Sequence, residues 1–473
     1  MAHPFPRLRS KSGQDAHFWE RGVPHLRGGV TVPDLRPCRR ATWPLHVGGH
    51  SWSLGDGPRL LYRLAVRCLV HPRVQTRPAL GASTGAPVAQ PGVLEIAPRS
   101  FAIVANGFAD GPAQALRDYL VARRAFVVAV SHPLVPEGGK RHVVAVYQGG
   151  SRIRTQQYSF PIGPPWSFAL DPFVPMSLPR VDTWFGFNPL ACGRGLLARR
   201  LRRTGTVVYW CADFTPGRFG RSPLTAVYDT LDRLCARKAD ARFELAAAAR
   251  DARNARQGLD PQAGAPTRIV PMGAWVERVP KVPEDAFRSR RVVFLGHLVA
   301  RQGVEILLAA LALLHGRGQQ ISADLIGGGP LLGQLKALAR RLELGDVVRF
   351  HGFLPDHADV ERLLAQGSLA VAPYVPVPAS LTRYADPGKL KAYLAAGLPI
   401  VLTDVPPNAV ELAEQAGAEI VPPEAFALAG AIERAFASED EWCRRRAAAL
   451  AYAGRFDWNI LLREALASVG FQE

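Results

Sequence analysis

Buried-strand and amphipathic-helix patterns alternate along the chain from Phe101 onward. An apolar run at 101–105 predicts a buried strand, the apolar spacing over 111–124 predicts a helix, and a second apolar run at 126–130 predicts another strand. Strands that alternate with helices form parallel sheets through right-handed crossovers. We therefore expect a first α/β domain over 100–280.

The same alternation continues through this domain. The patterns predict strands at 181–185, 206–210, 241–245 and 268–271, and helices at 190–203, at 222–238 and ending near Gly258. The segment 148–179 is rich in Pro and aromatic residues, so we expect it to be a loop over a sheet edge.

A Pro-bearing link at 278–283 precedes a second domain, expected over 286–455. Its predicted strands are 292–295, 323–326, 347–350, 369–372, 400–403 and 419–421, and its predicted helices are 304–315, 331–342, 359–365, 389–396, 409–416, 425–436 and 441–453.

The predicted fold class is α/β, with two doubly wound Rossmann-like domains that face each other across a cleft. Ligands of such sheets bind beyond the carboxyl ends of the strands, so we expect function to lie between the domains. Residues 456–473 are predicted to form a last helix, with Asp457 as its N-cap, that crosses back onto the first domain.

Residues 1–99 show no lasting hydrophobic period and are basic and rich in Pro and Gly, so we expect low order there. They carry half of the net charge of +18. Three readings of this segment stay open: a solvated Arg-rich tail, an extension from a misplaced start codon, or an anchor for an anionic membrane or nucleic acid.

Composition excludes several classes of protein. With 473 residues, 48% of them hydrophobic and 21% charged, and with 44 Gly and 40 Pro, the chain is neither wholly disordered nor a long coiled coil. Its apolar runs are too short to span a bilayer, and its first residues lack the order of a secretory signal. The six Cys are scattered without a Cys-x-x-Cys pair, which argues against zinc sites and a disulfide framework.

Two glycine turns after predicted strands are candidates for binding an anion. Gly296 follows the strand 292–295 and precedes Arg301, whose guanidinium suits phosphate oxygens. Gly328 lies in the turn 327–330, where glycines permit a close backbone approach. Neither turn has the Gly-Lys-Ser/Thr ending of a Walker A loop, and each alone is equally compatible with an ordinary turn.

The segment from Asp386 to Lys389 opens the predicted helix 389–396. Gly388 and Lys389 lie at its N-terminus, where the first N–H groups can meet a diphosphate. A lysine there opposes the helix dipole, so a bound anion explains its position better than stability does; a solvated lysine is the alternative.

In this order and spacing, these segments resemble the donor-binding domain of retaining, family 4 type glycosyltransferases (glycosyl transferases group 1), which have the two-domain GT-B fold. The resemblance covers about 291–460, and the first domain resembles the family's acceptor half more loosely. It rests on Gly303-Val304-Glu305, Ile326 to Pro330, Val348 to Phe353, Ala372-Pro373 and Lys391 to Val401. It implies a nucleotide-diphosphate sugar as donor substrate, retention of anomeric configuration, no cofactor and no obligatory metal.

The chain departs from the family at several positions. Tyr384 and Ala392 stand where the family usually has two glutamates, Gln302 where many members have a basic residue, and His297 where an arginine is frequent. Asp386 is a candidate to replace the lost carboxylate, and Lys389 to compensate at the phosphates.

Further candidates follow from the resemblance. His132 and Asp213 follow strands of the first domain and are candidate catalytic residues, as is Asp386; a solvated histidine and an Asp213–Arg218 ion pair are the alternatives. Gly107 and Arg218 are placed on the acceptor side. Glu411 is a donor-binding candidate, with helix capping as the alternative.

The expected function is a cytoplasmic, retaining sugar transferase that acts on a glycan or lipid-linked glycan, with the inner face of the plasma membrane as a peripheral location. Two alternatives stay open: a catalytically silent scaffold that binds nucleotide or glycan, and a basic protein that binds membrane or nucleic acid. Nucleic acid ranks last as a partner, because no motif interleaves aromatic and basic residues.

Overall fold

The structure is a computed structural model that describes most of the chain from Arg99 onward. The described residues are 99–107, 111–133, 140–164, 166–171, 174, 180–212, 214–215, 217–260, 264–377 and 381–471. The low order expected for residues 1–99 concerns a segment that, except for Arg99, lies outside the described residues.

The N-terminal domain is built on a sheet of eight strands in the order β4-β3-β2-β1-β5-β6-β7-β8. The strands are β1 Ser100–Asn106, β2 Phe126–His132, β3 Arg141–Gln148, β4 Ser151–Ser159, β5 Val181–Gly186, β6 Thr204–Cys211, β7 Ala241–Glu244 and β8 Thr267–Ile269. All neighbours are parallel except β2 with β3 and β3 with β4. Apolar side chains fill both faces of the sheet, as expected for parallel strands that helices cover on two sides.

Four helices pack on this sheet: α1 Pro112–Ala122, α2 Pro189–Arg200, α3 Pro223–Lys238 and α4 Ala247–Gln257. Local sequence sets their ends. Asn188 and Ser222 cap α2 and α3 by accepting a hydrogen bond from a first-turn N–H, and each is followed by a proline. Gly258 ends α4 in the left-handed conformation.

The loop predicted at 148–179 is wrong over its first part. Residues 151–159 form strand β4, which pairs with β3 and extends the sheet as an antiparallel hairpin. The sequence of β4 carries Arg, Thr and Gln and almost no apolar residues, because the strand lies at the sheet edge with most of its side chains exposed. Because neither face of β4 is buried, its apolar residues do not alternate with polar ones, and the sequence pattern did not predict a strand.

The C-terminal domain contains a six-stranded, fully parallel sheet in the order β11-β10-β9-β12-β13-β14. Its strands are β9 Arg291–Leu295, β10 Ser322–Ile326, β11 Val348–Gly352, β12 Leu369–Ala372, β13 Ile400–Leu402 and β14 Glu419–Ile420. Its helices are α5 Val304–Gly316, α6 Leu332–Arg341, α7 His357–Leu364, α8 Gly388–Ala396, α9 Ala409–Ala416, α10 Ala425–Ala435 and α11 Glu439–Ala453. The predicted fold class of two doubly wound α/β domains is confirmed.

The last helix, α12 Trp458–Ala467, belongs to the N-terminal domain by its packing. Trp458, Leu462 and Leu466 are buried in the same core cluster as β1 and α1. Asp457 caps α12 by accepting from the Asn459 N–H at 2.7 Å, and its other oxygen accepts from the Val276 N–H at 3.1 Å. The polypeptide therefore joins the two domains twice, through 270–283 and through 454–458.

Tyr393 of α8 stabilises the centre of the second sheet. Its hydroxyl accepts from the Leu295 N–H at 2.7 Å and donates to the Val371 carbonyl at 3.3 Å. These backbone groups lie beyond the point where β9 and β12 pair directly. The tyrosine replaces a missing ladder bond and fixes α8 against the strand ends.

We expect Tyr393→Phe to lower the free energy of unfolding by about 1 to 3 kcal/mol, because it leaves the buried Leu295 N–H without an acceptor. Urea denaturation followed by circular dichroism measures the change. Tyr147→Phe is the matched control, since half-buried Tyr147 makes no side-chain hydrogen bond to the described residues. Equal stability of the two variants would contradict the bridging role.

Candidate active site

Glycine turns form the carboxyl edge of the second sheet. The Leu298 N–H donates to the Gly328 carbonyl at 2.8 Å, and the Gly327 N–H to the Gly352 carbonyl at 2.9 Å. Gly327 has φ +137°, and a Cβ atom there would lie 2.0 Å from the Gly296 carbonyl oxygen. Only glycine fits, so the turns after β9 and β10 pack backbone against backbone.

Lys389 lies in the first turn of α8 and extends toward the turn after β9. Its Nζ atom donates to Gln302 Oε1 at 2.7 Å and lies 4.3 Å from the ring centroids of both Phe294 and Tyr374. A Cβ atom at Gly296 would lie 3.5 Å from this Nζ. The structure thus brings together Gly296 and Lys389, two predicted donor-binding residues.

Arg301 is the second cation of this region. Burial lowers the pKa of Lys389 well below its usual range, and the nearby Arg301 guanidinium lowers the pKa further. No ion pair between described residues involves Arg301 or Lys389. A bound anion would favour the charged form of Lys389, which burial and Arg301 disfavour.

The helix terminus adds backbone donors to these cations, although with one change from expectation. Pro387 provides no side-chain cap for α8, so the first-turn N–H groups, including that of Gly388, have no capping partner on the N-cap residue. The N–H of Gly296, by contrast, donates to the Ile326 carbonyl at 2.9 Å. Gly296 therefore allows another group to approach the backbone closely, but its own N–H is not free to bind an anion. The candidate backbone donors that remain are those at the start of α8 and in the turn that follows Gly296.

Asp386 is held by three neighbours. Its oxygens accept from Lys391 Nζ at 2.8 Å, from the Met272 N–H at 2.8 Å and from Asn408 Nδ2 at 3.1 Å. Met272 belongs to the connection between the domains. This buried arrangement favours a structural role for Asp386 at the hinge over the catalytic role predicted from sequence.

Glu411 lies with Asp386 on a cleft between the domains. The cleft has a volume of about 530 Å³, and its lining also includes Ala246, Pro271 and Phe456. Glu411 is in the first turn of α9 and accepts a hydrogen bond from the Tyr452 hydroxyl. Its predicted contact with the donor stays a prediction.

Tyr384 and Ala392, which stand where the resembled family usually has glutamates, form an aromatic contact and part of the core. Tyr384 packs edge-on against Phe214 of the N-terminal domain, with ring centroids 5.6 Å apart. Phe214 also lies under the guanidinium of buried Arg253. Ala392 lies in α8 and is buried in the core of the second domain. Position 384 therefore links the domains across the cleft through ring packing.

Gly107 and His132 lie side by side at the carboxyl edge of the first sheet. The Gly107 N–H donates to the His132 carbonyl at 2.9 Å. His132 is buried, with 2% of its surface exposed, so the alternative of a solvated loop histidine is wrong.

The imidazole of His132 contacts two residues that were not singled out from sequence. Its Nδ1 atom lies 2.9 Å from Nδ1 of His142 and 3.6 Å from Asp171 Oδ1. Burial, with His142 and Arg194 nearby, lowers the pKa of His132 to about 3, and burial lowers that of His142 to about 4. Both rings are neutral at neutral pH. Burial raises the pKa of Asp171 to about 7.

Two candidates remain, the catalytic candidate Asp213 and the acceptor-side candidate Arg218. Asp213 lies outside the described residues. The Arg218 guanidinium donates to Thr215 Oγ1 at 3.1 Å and lies 5.6 Å from the ring centroid of Tyr228. Its acceptor role stays a prediction.

Sequence reasoning missed the partners of the predicted residues. Phe294 and Tyr374 occupy strand-end positions that look like ordinary core, and only their distance to Lys389 reveals the contact. His142 lies in β3, a strand that was not assigned, and Asp171 lies in the segment predicted as a loop.

Comparison with known proteins gives a family match for part of the chain. Residues 289–438 match the model described as glycosyl transferases group 1. No curated protein matches the chain. The family resemblance and the glycosyltransferase class predicted from sequence are confirmed.

Solved structures with this fold include three glycosyltransferases. Sucrose-phosphate synthase from Thermosynechococcus elongatus has a TM-score of 0.59 and 18% identity, covering 78% of this chain and 98% of its own. Anabaena HepE in complex with UDP-glucose has a TM-score of 0.53 and 19% identity, and the match covers 78% of this chain and 99% of HepE. WaaG, a glycosyltransferase involved in lipopolysaccharide biosynthesis, has a TM-score of 0.52 and 16% identity, and the match covers 78% of this chain and 99% of WaaG. The GT-B architecture is confirmed. Among the described residues, no helix is both long and apolar enough to cross a bilayer.

A structural role for Asp386 makes a testable prediction. Asp386→Asn leaves the Lys391 ammonium buried without its counter-ion, so we expect a loss of about 3 to 5 kcal/mol in the free energy of unfolding. Adding Lys391→Met in the same chain should restore most of the stability and most of the activity with a sugar donor. Thermal unfolding and donor turnover are measured together. Asp404→Asn, an exposed carboxylate after β13, is the control. A stable double variant without turnover would instead make Asp386 catalytic.

Proposed function

We propose that this chain, whose residues 289–438 belong to the glycosyl transferases group 1 family, transfers a sugar from a nucleotide-diphosphate donor to a glycan or lipid-linked glycan, with retention of anomeric configuration. The observation that carries the proposal is the pair of cations Arg301 and Lys389 at the glycine turns of the second sheet. The fold and the family match support a nucleotide sugar as donor.

The proposed mechanism follows from the charge that develops in the reaction. As the anomeric bond breaks, the nucleoside diphosphate gains negative charge and the sugar gains positive charge. Preorganised donors around the diphosphate lower this barrier. Arg301, Lys389 and the first-turn amides of α8 supply those donors, so we expect no metal ion to be needed at the diphosphate.

Structural relatives support the choice of substrates. HepE was solved with UDP-glucose, and WaaG is involved in lipopolysaccharide biosynthesis. We propose a UDP-sugar as the first donor to test and a glycan or lipid-linked glycan as acceptor. The acceptor is presented by the N-terminal domain at the edge formed by Gly107 and His132, and contact with an anionic membrane through residues 1–99 remains part of this proposal.

Donor turnover tests the proposal directly. The full-length chain is incubated with a panel of nucleotide sugars, with and without a crude glycolipid fraction, and release of nucleoside diphosphate is measured. We expect release from at least one donor, with the α-anomeric configuration of the donor kept in the product by nuclear magnetic resonance. An inverted product would exclude retention while leaving transferase activity intact.

Removal of the Lys389 charge should impair catalysis more than folding. Lys389→Met keeps the aliphatic stem between Phe294 and Tyr374 but removes the ammonium, so we expect kcat/KM for the donor to fall by roughly 10²- to 10³-fold. Lys336→Met is the matched control, because Lys336 also lies over an aromatic ring, Phe350, but outside the site. An unchanged kcat/KM in Lys389→Met would refute the phosphate assignment.

An exchange of partners tests whether Lys389 replaces the basic residue that the family places at 302. The two side chains touch, so Gln302→Lys/Lys389→Gln moves the cation by about one hydrogen-bond length. We expect Lys389→Gln alone to be inactive and the double variant to recover at least a tenth of wild-type kcat/KM. No recovery in a folded double variant would show that the lysine must lie on α8.

A second candidate function is binding without turnover. The observation that favours it is Tyr384, which occupies the position of a family glutamate and instead packs on Phe214. Isothermal titration with UDP separates the two functions. Binding that depends on Lys389 in a chain without turnover on any donor would support the scaffold.

A further inference from the structure

Three buried side chains from separate segments converge in the N-terminal domain, away from the cations of the second sheet. His132 ends β2, His142 lies in the antiparallel strand β3, and Asp171 follows a turn far along the chain. Each has at most 3% of its surface exposed. In the described part of the chain, they form the group of His, Cys, Asp and Glu side chains whose spacing suits a metal ion.

The distances between their ligand atoms match a coordination sphere. The two Nδ1 atoms are 2.9 Å apart, and Asp171 Oδ1 lies 3.6 Å from each of them. The point equidistant from these three atoms lies about 2.0 Å from each, and zinc binds His nitrogen and carboxylate oxygen at about 2.0 to 2.2 Å. All three ligand atoms are therefore within bonding distance of one ion.

The hydrogen bonding of Asp171 leaves one oxygen aimed at this point. Oδ2 accepts from Asn106 Nδ2 at 3.0 Å, whereas buried Oδ1 has no hydrogen-bond partner among the described residues. Asn106 is itself fixed, because its Oδ1 accepts from Asn188 at 2.5 Å. Such an outer partner orients a ligating carboxylate, and an orphaned buried oxygen is costly without a cation or a proton.

A small cavity beside the cluster provides room for one more ligand. Its volume is about 10 Å³, close to what one water molecule requires. The cavity is lined by His132, Asp171, Asn106 and Arg194, among others. Three protein ligands with one water give four-coordinate geometry.

We propose that His132, His142 and Asp171 bind one divalent transition-metal ion of the zinc class, with a water molecule as fourth ligand. Two imidazoles with one carboxylate suit zinc, and magnesium and calcium prefer oxygen ligands. The scattered cysteines had argued against zinc sites, but this one needs no cysteine. The ion ties β2, β3 and the segment around Asp171 together at the acceptor edge of the first sheet, which goes beyond the proposed donor chemistry.

The positively charged guanidinium of Arg194 lies close to the proposed site and affects the binding of a cation there. It donates hydrogen bonds to the backbone carbonyl oxygens of Asp171 and Val174, both at 2.9 Å. These bonds fix the backbone of the residue that carries the carboxylate. Its positive charge weakens cation binding, while the Asp171 carboxylate and two neutral imidazoles strengthen it. We therefore expect Arg194→Met to bind zinc at least as tightly as the wild type, provided that it folds.

Metal content of the full-length chain tests the proposal. The purified protein is treated with chelator, dialysed against excess zinc, freed of loose metal and analysed by mass spectrometry. We expect one zinc per chain that His142→Gln and Asp171→Asn each lose or bind at least tenfold more weakly, and a higher melting temperature of the wild type with zinc. Cobalt in its place should give a visible absorption band that the same substitutions abolish.

Controls separate this site from other histidines. His315→Ala removes an exposed histidine on α5 and should keep the full zinc content. Zinc that remains bound in folded His142→Gln and Asp171→Asn resides elsewhere, for example on histidines of residues 1–98, and overturns the proposal. A wild-type chain that keeps no zinc and melts at the same temperature with or without it also overturns the proposal, and leaves a hydrogen-bonded His–His pair beside Asp171.

Discussion

The placement of Lys389, whose ammonium group contacts a neutral amide and two aromatic rings, is the physical constraint on which the candidate site depends. Lys389 is held by a neutral amide and two aromatic faces, and the nearby Arg301 makes its ammonium form harder to keep. Such an arrangement costs free energy in the unliganded protein. A bound diphosphate would offset that repulsion.

The surrounding fold holds those charges in place. Tyr393 fixes α8 to the strand ends, and the glycine turns pack too closely to admit a Cβ atom at Gly327. Asp386 joins the start of the same helix to the connection between the domains. The carboxylate of Asp386 therefore connects α8 directly to the segment between the domains.

Much of the fold could be predicted from sequence, because most elements have a buried face and glycine or proline at their ends. α9 was predicted at its observed limits, whereas exposed strand β4 was missed for want of a hydrophobic period. For the site, glycine turns and helix starts are local and could be found. The contact between Lys389 and Gln302 and the convergence of His132 with Asp171 depend on long-range packing, which no local pattern encodes.

The placement of α12 affects how the chain folds during synthesis. Leu462 and Leu466 complete the core around β1 and α1, although more than 300 residues separate them in sequence. On the ribosome, the N-terminal domain is made first but keeps an apolar groove open until the whole second domain has emerged. The core of the first domain is therefore completed only after the second domain has been synthesised.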